Sequence, residues 1–323
     1  MRKAFCIGLS ALVVLSCSRI PLVEDDASMV LGVEAPSAGG ATRASSSENL
    51  LTRVFASGDR LGVFVEPVSH YGAAAKTFQY VSDDGTATTL FRGNPEPVFF
   101  QAAGNVDIHA FYPVTVAANA TRSSTVGFSV ASDQSTRAAY AASDLMYGSA
   151  TGVAHTPNPV PLAMTHALSR LTLRFSAGSA TAAEQAALLA QLSGSTITLG
   201  GTVLTSIEGF NLGSPASAYT VGSANGAPVT FVTGANLAFW EAAGDPEYSG
   251  ILPPQTRPAA STVITISPSG GEAVSGSFPS ALVLERGKEA VITFSVVNRE
   301  LTLAAIELVP WPGTPTGTGS VVF

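Results

Sequence analysis

The stretch Val106-Asp107-Ile108-His109-Ala110-Phe111-Tyr112 alternates along its length until it reaches Pro113. Successive side chains of a strand point to opposite faces of a sheet, so this alternation predicts a strand with one buried and one wet face. The same pattern appears in Val126-Gly127-Phe128-Ser129-Val130 and in Arg170-Leu171-Thr172-Leu173-Arg174-Phe175. It is typical of antiparallel sheets, since strands of parallel sheets are apolar on both faces.

On both sides of these stretches, further strand signals recur roughly every ten residues. They are separated by turns rich in Gly and Pro, and this spacing is typical of β-sandwiches. They occupy residues 60–65, 77–81, 88–91, 195–199, 201–207, 229–232, 236–240, 262–267, 289–297, 301–309 and 320–323. One segment differs, because Thr181-Ala182-Ala183-Glu184 is a capping-box sequence that precedes a run rich in Ala, Leu and Gln. We therefore expect an all-β protein with a single helix of about ten residues, over 182–192, near the middle of the chain.

The composition narrows the class of protein. The chain has 323 residues, of which 12% are charged and 46% hydrophobic, with a net charge of −7. Disordered tails need high charge and low hydrophobicity, so this class is excluded. An acidic balance argues against a nucleic-acid partner, which normally meets a basic face. The length favours two domains.

The N-terminus reads as an export signal. Met1-Arg2-Lys3 is followed by a largely apolar run over residues 4–15, which is too short to span a bilayer at about 20 residues. Val14-Leu15-Ser16-Cys17 then fits a lipobox, in which the Cys17 thiol takes the lipid. We expect a lipoprotein signal peptide over residues 1–16 and lipidation at Cys17. There are two alternatives. One is a plain secretory signal with an incidental Cys, and the other is a buried N-terminal helix in a chain that is not exported.

Residues 18–49 have the composition of a tether, with Gly- and Ser-rich stretches. Met29-Val30-Leu31-Gly32-Val33 interrupts the tether and predicts one short strand. Arg43 lies in the flexible part, where an exposed arginine suits an arginine-specific protease.

Signals for catalysis are almost absent. None of the four histidines stands four residues from another, and no cluster has metal-ligand spacing. There is no nucleophile elbow and no phosphate-binding loop. We expect no enzyme activity, no catalytic residues, no metal and no cofactor. His109 and His166 are interpreted as structural hydrogen-bonding residues, and the tyrosines and tryptophans as packing residues that could also stack on sugars.

Several short motifs, in order along the chain, resemble the fimbrillin family of Bacteroidales, in its Mfa-like branch of pilus subunits. They are Thr42-Arg43-Ala44, Phe55-Ala56-Ser57-Gly58-Asp59-Arg60-Leu61-Gly62-Val63-Phe64, Ala110-Phe111-Tyr112-Pro113, Ser143-Asp144-Leu145-Met146-Tyr147-Gly148, Leu162-Ala163-Met164-Thr165-His166-Ala167-Leu168-Ser169-Arg170-Leu171, Leu252-Pro253-Pro254-Gln255 and Trp311-Pro312-Gly313. The resemblance runs over nearly the whole chain, from the lipobox to the C-terminal region.

The resemblance implies two tandem transthyretin-like Greek-key β-sandwich domains, over 44–177 and 178–323, after a lipidated leader over 17–43. It also implies a cut between Arg43 and Ala44, which would remove the candidate strand Met29–Val33. A sandwich that has lost a strand exposes sheet edges, and a neighbour's strand can fill the gap. The candidate donor residues lie near the C-terminus: Leu301, Leu303, Ile306, Leu308, Val321, Val322 and Phe323.

The expected partners are other pilus subunits, in a homo- or heteropolymer. We also expect contact with outer-membrane lipid through Cys17 before processing, and binding of a host or bacterial surface ligand. These expectations place the protein at the cell surface. Stalk, tip and anchor roles stay open. The alternative is a monomeric surface lipoprotein that binds a glycan or a host protein through its loops.

Overall fold

The computed structural model describes residues 28–34, 55, 57–83, 88–101, 104–176, 181–192, 195–201, 203–222, 228–233, 247–268, 272–278, 280–297 and 300–311. The strands, in chain order, are β1 (Val30–Glu34), β2 (Arg60–Glu66), β3 (Lys76–Asp83), β4 (Thr88–Gly93), β5 (Val106–Tyr112), β6 (Thr125–Ser129), β7 (Met146–Val153), β8 (Val160–His166), β9 (Ser169–Ser176), β10 (Thr196–Gly201), β11 (Ser206–Asn211), β12 (Thr220–Val221), β13 (Val229–Thr230), β14 (Val232–Thr233), β15 (Glu247–Leu252), β16 (Gln255–Arg257), β17 (Thr262–Ser267), β18 (Val274–Ser277), β19 (Leu282–Leu284), β20 (Lys288–Val297) and β21 (Glu300–Pro310). The helices are α1 (Val68–Tyr71), α2 (Arg137–Ala142) and α3 (Ala182–Leu192), with a 3₁₀ turn at Val114–Val116.

The all-β expectation is confirmed, since strands dominate the described residues. In β5, Val106, Ile108 and Ala110 are buried while Asp107 and His109 are half-buried, as the alternation predicts. The prediction of a wet face is wrong at Phe111, which is buried against Phe210. The predicted helix is α3, and its capping box forms: the Thr181 backbone N–H donates to Glu184 Oε2 at 2.7 Å. Two short helices, α1 and α2, were not predicted, because four and six residues are too few for a periodic signal.

The first half of the chain forms one seven-stranded sheet that closes on itself in the order β1-β4-β3-β2-β5-β7-β8. The sheet is antiparallel except where β1 runs parallel to β8. Its interior is filled by apolar side chains of these strands, including Phe78, Phe91 and Leu162. Among the described strands, β1 is therefore the one that connects β4 with β8 and closes the sheet.

The second half packs two sheets face to face. One has the order β13-β10-β17-β18 and the other the order β14-β15-β9-β20-β21. Their shared core includes Phe175, Ile264 and Phe294. The strand β9 pairs with β15 and, in parallel, with β20, so it belongs to this sheet although it precedes residue 178. The division at residues 44–177 and 178–323 stays a prediction.

A third cluster joins the two halves. The small sheet β12-β11-β6 pairs a strand from the first half with strands from the second. Phe111 and Phe210 meet edge to face across this junction at 6.4 Å between ring centres. The guanidinium of Arg286 lies over the rings of Tyr147 and Tyr219, 5.3 and 5.0 Å from their centres. Among the described helices, none is long and apolar enough to cross a membrane.

Candidate strand-exchange site

The candidate site is the place that β1 occupies between β4 and β8. On one side β1 pairs antiparallel with β4, with Leu31 opposite Phe91 and Val33 opposite Thr89. On the other side it pairs parallel with β8, with Leu31 beside Val160 and Val33 beside Leu162. Both neighbours thus depend on the same five-residue strand to connect them.

The side chains of β1 are part of the core. Met29, Leu31 and Val33 join the interior cluster of the closed sheet, and Leu31 and Val33 are 0% exposed. Full burial of an aliphatic side chain is worth about 1.5–3 kcal/mol, so the three together contribute about 5–9 kcal/mol. Glu34, which ends the strand, is exposed. A strand that fits this position therefore needs apolar residues at alternate positions, as Met29, Leu31 and Val33 are.

A long connection in the sequence separates β1 from the other strands of its sheet. Residues 35–54 connect β1 to Phe55, and Arg43 and Ala44 fall within this connection. Arg43, Ala44 and the lipidation candidate Cys17 lie outside the described residues, so their roles stay predictions. The predicted strand Met29–Val33 is present as β1, Val30–Glu34, one residue further along.

Four of the candidate donor residues belong to β21. This strand is the edge of its five-stranded sheet and pairs with β20 along its whole length. An irregularity in register between Thr293 and Phe294 sets Leu303 opposite Phe294, and Ile306 opposite Ile292. Leu308 is 40% exposed on this edge. Val321, Val322 and Phe323 lie outside the described residues.

The end of β21 is anchored at the junction of the two halves. Trp311 is buried, its backbone N–H donates to the Gly287 carbonyl at 3.1 Å, and its ring stacks on His166 at 3.5 Å. His166 is held from the other side by Asp144, whose Oδ1 lies 2.8 Å from Nδ1. His166 is thus a buried structural residue at the end of β8, in keeping with its interpretation from the sequence.

His109 also has a structural setting. Its Nδ1 lies 3.2 Å from a guanidinium nitrogen of Arg122. Burial lowers the pKa of His109, and the charge of Arg122 lowers it further, against opposing effects of Glu66 and Asp107. In the part of the chain that the structure describes, no group of three or more His, Cys, Asp or Glu could hold a metal ion.

A buried ion pair in the second half was missed by the sequence analysis. A guanidinium nitrogen of Arg170 lies 2.7 Å from Glu289 Oε1, which also accepts from the Thr172 hydroxyl. Arg170 and Glu289 begin the parallel pairing of β9 with β20, where they are opposite each other. No local sequence pattern indicates this ion pair, because the parallel register of β9 with β20 is what brings the two charges together.

Residues 42–311 match the sequence profile of the fimbrillin-like family. Two solved structures show a similar fold: a candidate cell adhesion protein from Bacteroides ovatus, with a TM-score of 0.61, and one from Bacteroides uniformis, with a TM-score of 0.58. The first is 18% identical, over 88% of this chain and 97% of the other. The second is 16% identical, over 89% of this chain and 99% of the other. No curated protein matches the chain.

Proposed function

The chain belongs to the fimbrillin-like family, and we propose that it is a subunit of a cell-surface pilus that gives up β1 and accepts a strand of a neighbouring subunit in its place. We further propose that it is exported as a lipoprotein attached through Cys17 and is cut between Arg43 and Ala44. The position of β1 carries this proposal, because it is a buried core strand on a segment that a single cut separates from the rest of the sheet.

The energetics favour replacement of β1 over a permanently open groove. Departure of β1 uncovers the core beneath Met29, Leu31 and Val33 and breaks the pairing on β4 and β8. Unpaired edges over an apolar core recruit another strand. A neighbour's strand with apolar residues at alternate positions restores both the burial of the core and the pairing with β4 and β8. Contacts that pass from one subunit to the next without closing produce a filament.

Two segments are candidates for the donated strand. The first is β21, which would have to leave its pairing with β20 and free Trp311 from the stack on His166. The second is the terminal segment with Val321, Val322 and Phe323, which follows the Trp311 anchor. Donation by the terminal segment leaves the anchor in place and is therefore the less costly of the two. A surface ligand that supports adhesion would be bound by the assembled pilus.

The proposal is tested with the purified full chain and an arginine-specific protease. The cut chain should form a ladder of multimers that survives SDS without boiling, and N-terminal sequencing should begin at Ala44. The matched control is Arg43→Lys, which keeps the charge but removes the cleavage site, and it should stay monomeric. A second pair of variants separates the donors: loss of residues 312–323 should abolish the ladder while Leu308→Ala preserves it.

A chain that is cut at Arg43 and remains a monomer would contradict assembly by strand exchange. If that monomer bound surface glycans, the function would be that of a monomeric binding protein. A ladder that forms equally from Arg43→Lys would contradict the role of the cut.

A further inference from the structure

The strand β8 changes neighbours halfway along. Residues Val160 to Ala163 pair only with β1, whereas residues Met164 to His166 pair only with β7, among the pairings of the described strands. The neighbouring β7 pairs with β5 from Met146 to Val153, and only its first three residues also pair with β8 among the described pairings. By backbone pairing, the first half of β8 therefore joins the closed sheet through β1 alone, while its side chains Val160 and Leu162 pack in the sheet's core.

The change of neighbour has a defined place. A Cβ on Gly148, the last β7 residue paired with β8, would lie 2.5 Å from the Ala163 carbonyl oxygen. That is closer than any side chain allows, so the glycine lets the β8 backbone pass unusually close to β7 at this point. Among the described pairings, the residues of β8 before Met164 pair with β1 and not with β7.

The backbone of Gly32 lies at the centre of the β1–β8 pairing. In the parallel register Gly32 is beside Pro161, which has no N–H to donate. The bonds must therefore run from the Gly32 N–H to the Val160 carbonyl and from the Leu162 N–H to the Gly32 carbonyl. Since alternate residues of a strand direct their backbone groups to opposite sides, Leu31 and Val33 bond to β4 instead.

The other edge of the site is different. The strand β4 pairs with β3 along its length, with Arg92 opposite Gln79 and Thr89 opposite Asp83. Loss of β1 leaves this pairing in place. The site therefore has one edge that is supported independently and one that is not.

We propose that Val160–Ala163 is a flap, hinged where Ala163 closely approaches Gly148, that stays in the sheet only while a strand occupies the β1 position. When that position is vacated the flap leaves the sheet, and β4 alone remains as the template. The partner is an extended, apolar segment of another subunit, which pairs with β4 first and is then covered by the flap. This inference rests on the proposed function for its partner, but the flap itself is a property of the single chain.

The flap is tested in the full, uncut chain by amide hydrogen exchange read by NMR, with Gly32→Pro and its control Gly32→Ala. Proline removes the N–H that bonds to the Val160 carbonyl, while the control keeps it. The amides of Val160 and Leu162 retain their own acceptors. We nevertheless expect both to exchange about fivefold faster or more in Gly32→Pro than in the control, because one lost bond of about 1 kcal/mol loosens the whole flap. The amides of Leu31 and Val33 should change much less.

Unchanged exchange at Val160 and Leu162 would overturn the proposal, and so would equal acceleration at Leu31 and Val33, since β1 would then leave as a unit. Should Gly32→Pro fail to fold, the unsubstituted chain gives the same test, because Val160 and Leu162 should open at lower free energy than Leu31 and Val33. Neither measurement depends on cleavage or on multimers, so failure of the flap and failure of the pilus proposal are distinguishable.

Discussion

At the scale of single residues, Leu31 is the centre of the candidate site. It is fully buried, opposite Phe91 on one side and beside Val160 on the other. We expect Leu31→Ala to lower the free energy of unfolding by about 3 kcal/mol, through lost burial and the cavity left behind. Urea denaturation measures this, and Glu34→Ala in the same strand should change stability by less than about 0.5 kcal/mol, because Glu34 is exposed. A small effect of Leu31→Ala would mean that β1 contributes little to the core.

A second residue-scale prediction concerns Gly148. An alanine there brings its Cβ against the backbone of Ala163, and backbone atoms cannot swing aside as a side chain can. We expect Gly148→Ala to destabilise the fold by about 1–3 kcal/mol. The matched control is Gly127→Ala, in β6, where the nearest atom to the new Cβ is the Ile207 carbonyl oxygen at an ordinary 3.5 Å. Equal unfolding midpoints for the two variants would contradict the close approach of the Ala163 backbone to Gly148.

At the scale of elements, β1 should be replaceable in trans. A synthetic peptide with the sequence of residues 28–34 should bind the chain after the cut at Arg43 and suppress the multimer ladder, because it restores the buried side chains and both pairings. The control peptide carries Leu31→Asp, which places a charge in the apolar interior. Fluorescence polarisation of the labelled peptides measures the binding. Equal binding by the two peptides would contradict an ordered strand in the groove.

Individual elements differ in how far the sequence predicts them. Alternation predicts β5, and a capping box predicts α3, because both signals are local. Alternation also marks the buried Val160, Leu162 and Met164 of β8 once the strand is known. The parallel register of β1 with β8 could not be predicted, since it pairs segments about 130 residues apart and no local pattern encodes it. For the same reason the ion pair of Arg170 and Glu289 became evident only from the β9–β20 register.

At the scale of the whole molecule, the two halves are joined through a junction that should be sensitive to alkali. The Tyr219 hydroxyl donates to the Ala167 carbonyl there, and burial raises the pKa of Tyr219 to about 12, against an opposing effect of Arg286. A pKa raised in the folded state favours the neutral phenol. Its contribution to stability is thus complete below the ordinary pKa of 10 and is lost as the pH rises from 10 through 12. Tyr219→Phe should reduce the decrease in the free energy of unfolding between pH 10 and pH 12. If the decrease is unchanged, ionisation of Tyr219 is not its cause.

The family and the strand Met29–Val33 are both predicted from the sequence, whereas the closing of the first sheet by that strand is not. Its importance comes from a position that only the folded chain defines, between β4 and β8. Assembly by strand exchange therefore requires that a strand of a neighbouring subunit occupy that position in the fibre.

The most direct test is the structure of the assembled fibre by electron cryo-microscopy, read at this one position. If subunits exchange strands, the fibre contains a strand from a neighbouring chain between β4 and β8, antiparallel to β4, and the chain of the receiving subunit begins at Ala44. Residues Val30–Glu34 of the same chain, still paired with β4 and β8 inside the fibre, would contradict strand exchange.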